Sequence, residues 1–343
     1  MSSITLPDMS EIFFGGPDCP PRLLRDILQQ RVDAVPVGGE IHWATYYFRD
    51  RALARSLIAA SRRGVKVVLH IEGRPRHAPA NREVLAMLSN DGLMGGLHIH
   101  RPGRLLRKVQ PYLHAKIYAF SHPEPAVLVG SFNPSGDVPE DSEIIAELGD
   151  QDRGHNMLVE YKDRTLVRGL VRYVQRVHGF ADRFRLGRTI RSGATMMWFY
   201  PRLHTRVING HLRRLGGGAR IRGAISHLKS GSLATCLAAA ARRGASVDLI
   251  VHDTERRVPE EAIAALAASG VRIKRYAHPD QLPLHAKFLL IEDASGCTAW
   301  FGSFNYNSRS QHRNHELLVR SSDPELCAVI DRRFAQIAAE MSS

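Results

Sequence analysis

His114-Ala115-Lys116 followed by Gly130-Ser131-Phe132-Asn133, and His285-Ala286-Lys287 followed by Gly302-Ser303-Phe304-Asn305, are the same two words written twice in one chain of 343 residues. The interval from His to Gly is 16 residues in the first copy and 17 in the second. With 17 His in the chain and lysine rare, about a third of one His-x-Lys is expected at random. Two copies, each trailed by the same tetrapeptide, are a duplication. The flanking sequence repeats as well. Ser61-Arg62-Arg63-Gly64 and Ala241-Arg242-Arg243-Gly244 each close an Ala/Leu-rich helical run, 52–62 and 233–243. Each precedes a β-branched strand, Val65 to Ile71 and Ala245 to Val251, and follows another, Glu40 to Phe48 and Ala219 to Ser226. Downstream, His155-Asn156-Met157-Leu158-Val159 matches His315-Glu316-Leu317-Leu318-Val319, and Asp163 matches Asp323. The repeats are therefore placed at 8–185 and 194–340, joined through the basic stretch Arg183 to Arg191. The first carries an extra segment, about Pro139 to Asp150. Strands alternating with helices, some continuously apolar, predict an α/β fold: two tandem halves related by a pseudo-twofold, each an α/β/α sandwich with a mixed, largely buried sheet.

Composition narrows the partners. The chain is 44% hydrophobic and 24% charged, a globular balance, with no apolar run long enough to cross a membrane. Its start has no secretion-signal pattern, and Cys19, Cys236, Cys297 and Cys327 stand too far apart for a Cys-x-x-Cys site. These features predict a cytoplasmic protein with idle thiols. A net charge of +13, carried mainly by arginine, favours phosphate-bearing partners.

On a strand, period two sets His114 with Lys116, and His285 with Lys287, on one face. An ammonium depresses a neighbouring imidazole's proton affinity, so the pair is a poor structural choice. It suits catalysis: a neutral imidazole attacks phosphorus or moves a proton, and the lysine stabilises the non-bridging oxygens. Asn133 and Asn305 supply amide donors to the same oxygens. Ser131 and Ser303 are small polar neighbours, and Gly130 and Gly302 allow close backbone approach. Two copies across a dyad place two His, two Lys and two Asn around one phosphate. No His-x-x-x-His or Glu-x-x-His spacing suggests a metal, and this chemistry needs neither metal nor cofactor.

The twin pattern resembles the phospholipase D superfamily, with weaker similarity to its cardiolipin synthase branch in Thr45-Tyr46-Tyr47-Phe48 and Arg-Arg-Gly-Val. The resemblance implies phosphodiester hydrolysis or transfer through a phosphohistidine. It also implies an acidic or amide side chain that orients the motif His of the opposite half: Glu316 for His114, and Asn156 for His285, with Glu143 or Glu147 as alternatives to Asn156. A carboxylate stabilises an imidazolium and an amide does so weakly, which makes His114 the nucleophile and His285 the acid and base. The sequence departs from the family's acidic position after the motif, where it holds Ser121 and Glu292. Tyr112, Tyr306, Arg104 and Arg107 are candidates for substrate binding, and His70, His98, His100 and His252 for lining the cleft. Anionic phospholipid is the leading substrate, reached by peripheral docking at the inner face of a membrane through arginine. Nucleic acid, for a metal-independent nuclease or end-processing enzyme, and a non-catalytic phosphate-binding module stay open beside it. One chain holds both motifs, so a monomer suffices for one site.

Overall fold

The computed structural model describes residues 11–93, 95–101, 111–136, 141–177, 189–202 and 207–341. The expected phosphate-gripping Arg104 and Arg107, and most of the Arg183 to Arg191 joint, lie outside the described residues. The first half runs β1 (Glu11–Gly15), α1 (Leu23–Asp33), β2 (Glu40–Thr45), α2 (Arg51–Arg62), β3 (Lys66–Glu72), α3 (Arg82–Asp91), β4 (Leu97–His100), β5 (Ile117–Phe120), β6 (Ala126–Gly130), α4 (Ser142–Leu148), β7 (Asn156–Tyr161) and α5 (Arg164–Arg176). The second runs β8 (Thr189–Ser192), β9 (Thr195–Tyr200), α6 (Val207–Leu212), β10 (Arg220–Ile225), α7 (Ser232–Arg242), β11 (Ser246–His252), α8 (Glu260–Ala267), β12 (Arg272–Tyr276), β13 (Lys287–Asp293), β14 (Gly296–Gly302), α9 (Ser308–His312), β15 (Glu316–Ser321) and α10 (Pro324–Glu340).

The repeat is exposed by the strand order. The first sheet reads β1-β7-β6-β5-β2-β3-β4, and the second, from its other end, β9-β15-β14-β13-β10-β11-β12, with β8 added at the β9 edge. In both, three parallel strands continue into antiparallel ones. Local chemistry repeats too. Gly64 and Gly244, at φ +92° and +94°, end the Arg-Arg-Gly helices where a side chain would be strained. Asp163 and Asp323 cap α5 and α10, accepting from the backbone amides of Leu166 and Leu326 at 2.8 and 3.2 Å.

Period-two alternation explains the layers. Along β5, Tyr118 and Phe120 join an outer core with α1, α2 and α3, while Ile117 and Ala119 face inward. Along β13, Leu289 and Ile291 face an outer core with α6 and α7, while Phe288 and Leu290 face inward. The inward faces of both sheets, with α5 and α10, share a single core cluster that spans the two halves. Strands buried on both faces read as unbroken apolar runs, which is why 117–120 and 288–291 carry no polar alternation. Among the described residues no helix is long and apolar enough to cross a membrane, and the four cysteines are free thiols.

Candidate active site

The motif histidines do not lie within regular strands, as the sequence reading expected. β5 starts only at Ile117 and β13 at Lys287. The residues just before them pair instead with the other half. Leu113 bridges His315, and His155 bridges Leu284, both parallel. The His114 amide donates to the His315 carbonyl at 2.9 Å, and the His285 amide donates to the His155 carbonyl at 2.9 Å. Each histidine backbone is thus fixed by the opposite repeat.

Side chains follow the same cross-over. His114 Nδ1 lies 2.9 Å from Glu316 Oε2, and His285 Nδ1 lies 2.9 Å from Asn156 Oδ1. The Asn156 amide orientation follows from its network. Its Nδ2 donates to the Gln151 carbonyl at 2.7 Å, and Ser131 Oγ donates to its Oδ1 at 3.0 Å. Oδ1 therefore faces the ring, Nδ1 of His285 carries the hydrogen, and Nε2 is bare. The Glu316 carboxylate imposes the same tautomer on His114. Ser303 Oγ donates to Glu316 Oε2 and Ser310 Oγ to Oε1, each at 2.6 Å. Ser131 and Ser303, read from sequence as small polar supporting neighbours, hold these orienting groups, and each accepts from the backbone amide of the next strand (Met157, Leu317). Glu143 and Glu147 do not reach His285. Glu147 pairs with Arg76 at 2.5 Å, and Glu143 is exposed.

Both rings open on one cavity of about 440 Å³, lined by Tyr46, Tyr47, Tyr112, His227, Arg257, Asn133 and Asn305 among others. Lys116 and Lys287 are fully buried, each Nζ donating to the carbonyl of the histidine two residues before it, at 2.8 and 2.7 Å. Asn305 Oδ1 is buried without a hydrogen-bond partner. Asn133 is engaged on both sides: its Oδ1 accepts from the Tyr47 amide, and one Nδ2 hydrogen goes to Gln151 Oε1 at 3.0 Å. Gly130 and Gly302 permit close approach, but to the next strand. A Cβ there would stand 2.1 Å from the Met157 carbonyl oxygen and 2.4 Å from that of Leu317.

Burial dominates the electrostatics. It pushes the His114 imidazolium down to about 4, with the Glu316 carboxylate opposing and Lys116 assisting. His285 is held well below its ordinary value by burial first, then by Lys287, Arg257 and Lys116. The lysine's effect expected from sequence is present and secondary. Burial likewise lowers Lys116 to about 7 and Lys287 well below its usual range. Glu316 stays below the usual carboxylate range: burial works against its charge, but His114, Lys116 and Ser303 outweigh it.

Other sequence candidates divide. Tyr112 lines the cavity, under the Arg309 guanidinium at 4.2 Å. Tyr306 does not: it is buried in the second outer core against Phe304. His70, His98 and His100 gather on β3 and β4, His70 stacked on His98 at 4.4 Å, away from the cavity lining, and His252 also lies outside it. Ser121 and Glu292 act locally, Ser121 Oγ accepting from the Glu40 amide and Glu292 pairing with Arg222. Tyr46, Tyr47, Gln151, His227, Ser310, Arg256 and Arg257 were missed. Aligning the two repeats position by position would have signalled several, since Tyr47 and His227 follow equivalent strands, as do Arg76 and Arg256.

No curated protein sequence matches the chain. Solved structures do match in fold. Phosphatidylserine synthase from Haemophilus influenzae Rd KW20 aligns over 98% of this chain and 88% of its own, at 12% identity and a TM-score of 0.67. Polyphosphate kinase from Porphyromonas gingivalis aligns over 96% of this chain at 14% identity and a TM-score of 0.61, and this chain spans about half (50%) of its length. The family model described as "Cardiolipin synthase, PLD-like domain" matches residues 38–164 and again 217–338, once in each half around the crossed histidines. The chain belongs to that phospholipase D-like family and carries its domain twice.

Proposed function

We propose that the chain is a phosphodiester hydrolase or transferase working through a phosphohistidine, with a phospholipid as its substrate. The observation that carries this reading is the crossed pair. Two histidines open on one cavity, each with Nδ1 tied to the opposite half and Nε2 bare. His114 Nε2 attacks phosphorus, and the P–O bond to the leaving alcohol breaks as its oxygen takes a proton from His285 Nε2. Water or an alcohol then gives a proton to His285, forms the new P–O bond and displaces His114. His114 is the better nucleophile because the buried Glu316 carboxylate stabilises the positive charge that its ring acquires. An anionic phosphodiester entering the cavity raises the proton affinity of His285, so substrate itself equips the acid. Asn305 in the cavity lining, and the charge of Lys116 and Lys287 buried just behind the two histidines, stabilise the developing charge on the non-bridging oxygens. The family description supports the lipid reading, as do the basic rim and the tyrosines of the cavity, which suit an anionic headgroup.

Purified protein in chelator should release headgroup, or exchange it for added alcohol, from mixed anionic phospholipid vesicles. Turnover of single-stranded DNA in place of lipid would instead select a nuclease. Activity on neither would favour a binding module. Dependence on an added divalent metal would overturn the mechanism, because the lysines and histidines here are assigned the work a metal does elsewhere.

A further inference from the structure

A second cavity, of about 940 Å³, lies at the far end of the second sheet and shares no lining residue with the first. Its floor is the outer face of β9, β15 and β14. There Met196 and Trp300 flank Arg320 across the strands, and Trp198 stacks on Trp300 at 5.5 Å. Its wall is the last turn of α6 and the loop Gly216-Gly217-Gly218. Arg320 stands four residues beyond Glu316 on β15, about 13 Å along the strand at about 3.3 Å per residue. The two cavities are therefore separate sites.

The repeat supplies a control for this corner. Glu160 of β7 is the counterpart of Arg320, since each stands four residues after the orienting group, Asn156 or Glu316. Arg31 of α1 is the counterpart of His211, since each stands nine residues before the next strand begins, at Glu40 or Arg220. In the first half the corner is closed: Arg31 pairs with the buried Glu160 at 2.6 Å. In the second half a guanidinium replaces the carboxylate, an imidazole replaces the guanidinium, and Gly216-Gly217 replaces Pro36-Val37. His211 is spent within the wall. Its Nδ1 accepts from Trp300 Nε1 at 3.2 Å, so its Nε2 carries the hydrogen and donates to Asp293 Oδ2 at 3.3 Å. Asp293, the one carboxylate of the lining among the described residues, also accepts from the Ser295 amide at 2.7 Å. Arg320 is left half-buried, its Nε buried without a hydrogen-bond partner, and Arg214 stands exposed on the same cavity. An unmet buried donor is costly until an acceptor arrives, and two guanidinium groups suit the double charge of a phosphate monoester.

We propose that this cavity is a second binding site, for a phosphate monoester with an apolar body. The phosphate sits on Arg320 and Arg214, and the apolar part covers Trp198, Met196 and Val207. The site stands apart from the phosphohistidine reading, and its test needs no turnover.

Two of the chain's three tryptophans line this cavity; the third, Trp43, is fully buried in the first outer core, and none lines the catalytic cavity. Titration of the full chain with hexyl phosphate, followed by tryptophan fluorescence, should therefore saturate. Hexanol and inorganic phosphate should each bind at least about tenfold more weakly. The double variant His211→Arg, Arg320→Glu rebuilds the first half's ion pair in the second. It should fold and weaken hexyl phosphate at least about tenfold, whereas Arg320→Lys, which keeps the charge, should lose far less. Should the double variant fail to melt cooperatively, Arg320→Gln carries the comparison. No saturable response in the wild type, or one that survives loss of the Arg320 charge, overturns the site. Tighter binding of hexanoate than of hexyl phosphate overturns the choice of phosphate. Phosphatidylcholine vesicles containing lysophosphatidate separate the sources. If they give the same Arg320-dependent response, the ester is a membrane lipid; if only hexyl phosphate gives it, the ester is a free solute.

Discussion

At the scale of residues, the site's asymmetry reduces to a carboxylate against an amide. Glu316 and Asn156 hold the two Nδ1 atoms at the same distance, but only Glu316 brings charge. Glu316→Gln keeps the acceptor and removes that charge, and should slow formation of the His114 adduct by about 10–100-fold, measured by acid-quenched mass spectrometry with labelled substrate. His285→Asn should instead let the His114 adduct accumulate when the leaving group needs no proton; an adduct on His285 in the wild type would reverse the roles. The pH profile follows from the depressed values. His114 is bare above about pH 4, whereas the acid form of His285 is lost as pH rises. For an alkyl leaving group, kcat/KM should decline along a limb placed below about pH 6.5, the ordinary imidazole value. The limb in kcat should lie higher, since bound substrate anion restores the proton. Asn156→Asp should move it higher still, and a nitrophenolate leaving group should flatten it. Identical limbs for both leaving groups would remove His285 from the acid role.

At the scale of elements, the site depends on how closely β6 meets β7 and β14 meets β15. Gly302 has φ +132° and lies against the Leu317 carbonyl, immediately before Ser303, which holds Glu316. Gly302→Ala should cost roughly 1–3 kcal/mol from backbone strain and also weaken adduct formation, because Ser303 moves with it. Thermal unfolding and single-turnover kinetics would read the two effects; a stable variant with an intact rate would show that the approach is dispensable. These elements were largely legible in sequence, because buried strands and Gly-terminated helices announce themselves by apolar runs and Arg-Arg-Gly. Where the reading failed, the cause was non-local. Leu113 and His114 resemble the start of a strand, but their backbone partner is His315 of the other repeat, some two hundred residues away, and no local period reports that. Tyr306 follows the motif where a pocket residue would stand, yet the turn after β14 points it into the core. Arg257 reads as one arginine among many, since only the fold brings it beneath the Leu148 carbonyl.

At the scale of the whole molecule, one inner core and two crossed backbone bridges tie the halves together, so they should unfold in a single transition. That transition should be sensitive to acid. Seven histidines, at 42, 114, 155, 211, 227, 252 and 285, have folded values below the ordinary one, each with burial as the largest cause. Below about pH 6.5 the unfolded chain binds protons at these positions that the folded chain refuses, so stability falls with pH toward the folded values, about 4 for His114 and His252. Glu72, Asp152 and Glu160, raised by burial, act in the opposite sense, and among the described residues they are outnumbered by the histidines. The urea midpoint should drop between pH 7 and pH 5; a rise would mean that the carboxylates govern. The crossed bridges have a further meaning, for ancestry. Every bond that one half makes to the other's motif could be made equally between two identical chains, but a symmetric pair would be obliged to give both histidines the same partner. Joining the copies in one polypeptide lifted that obligation, and Glu316 opposite Asn156 records the freedom to let one histidine specialise while its twin was kept for another task.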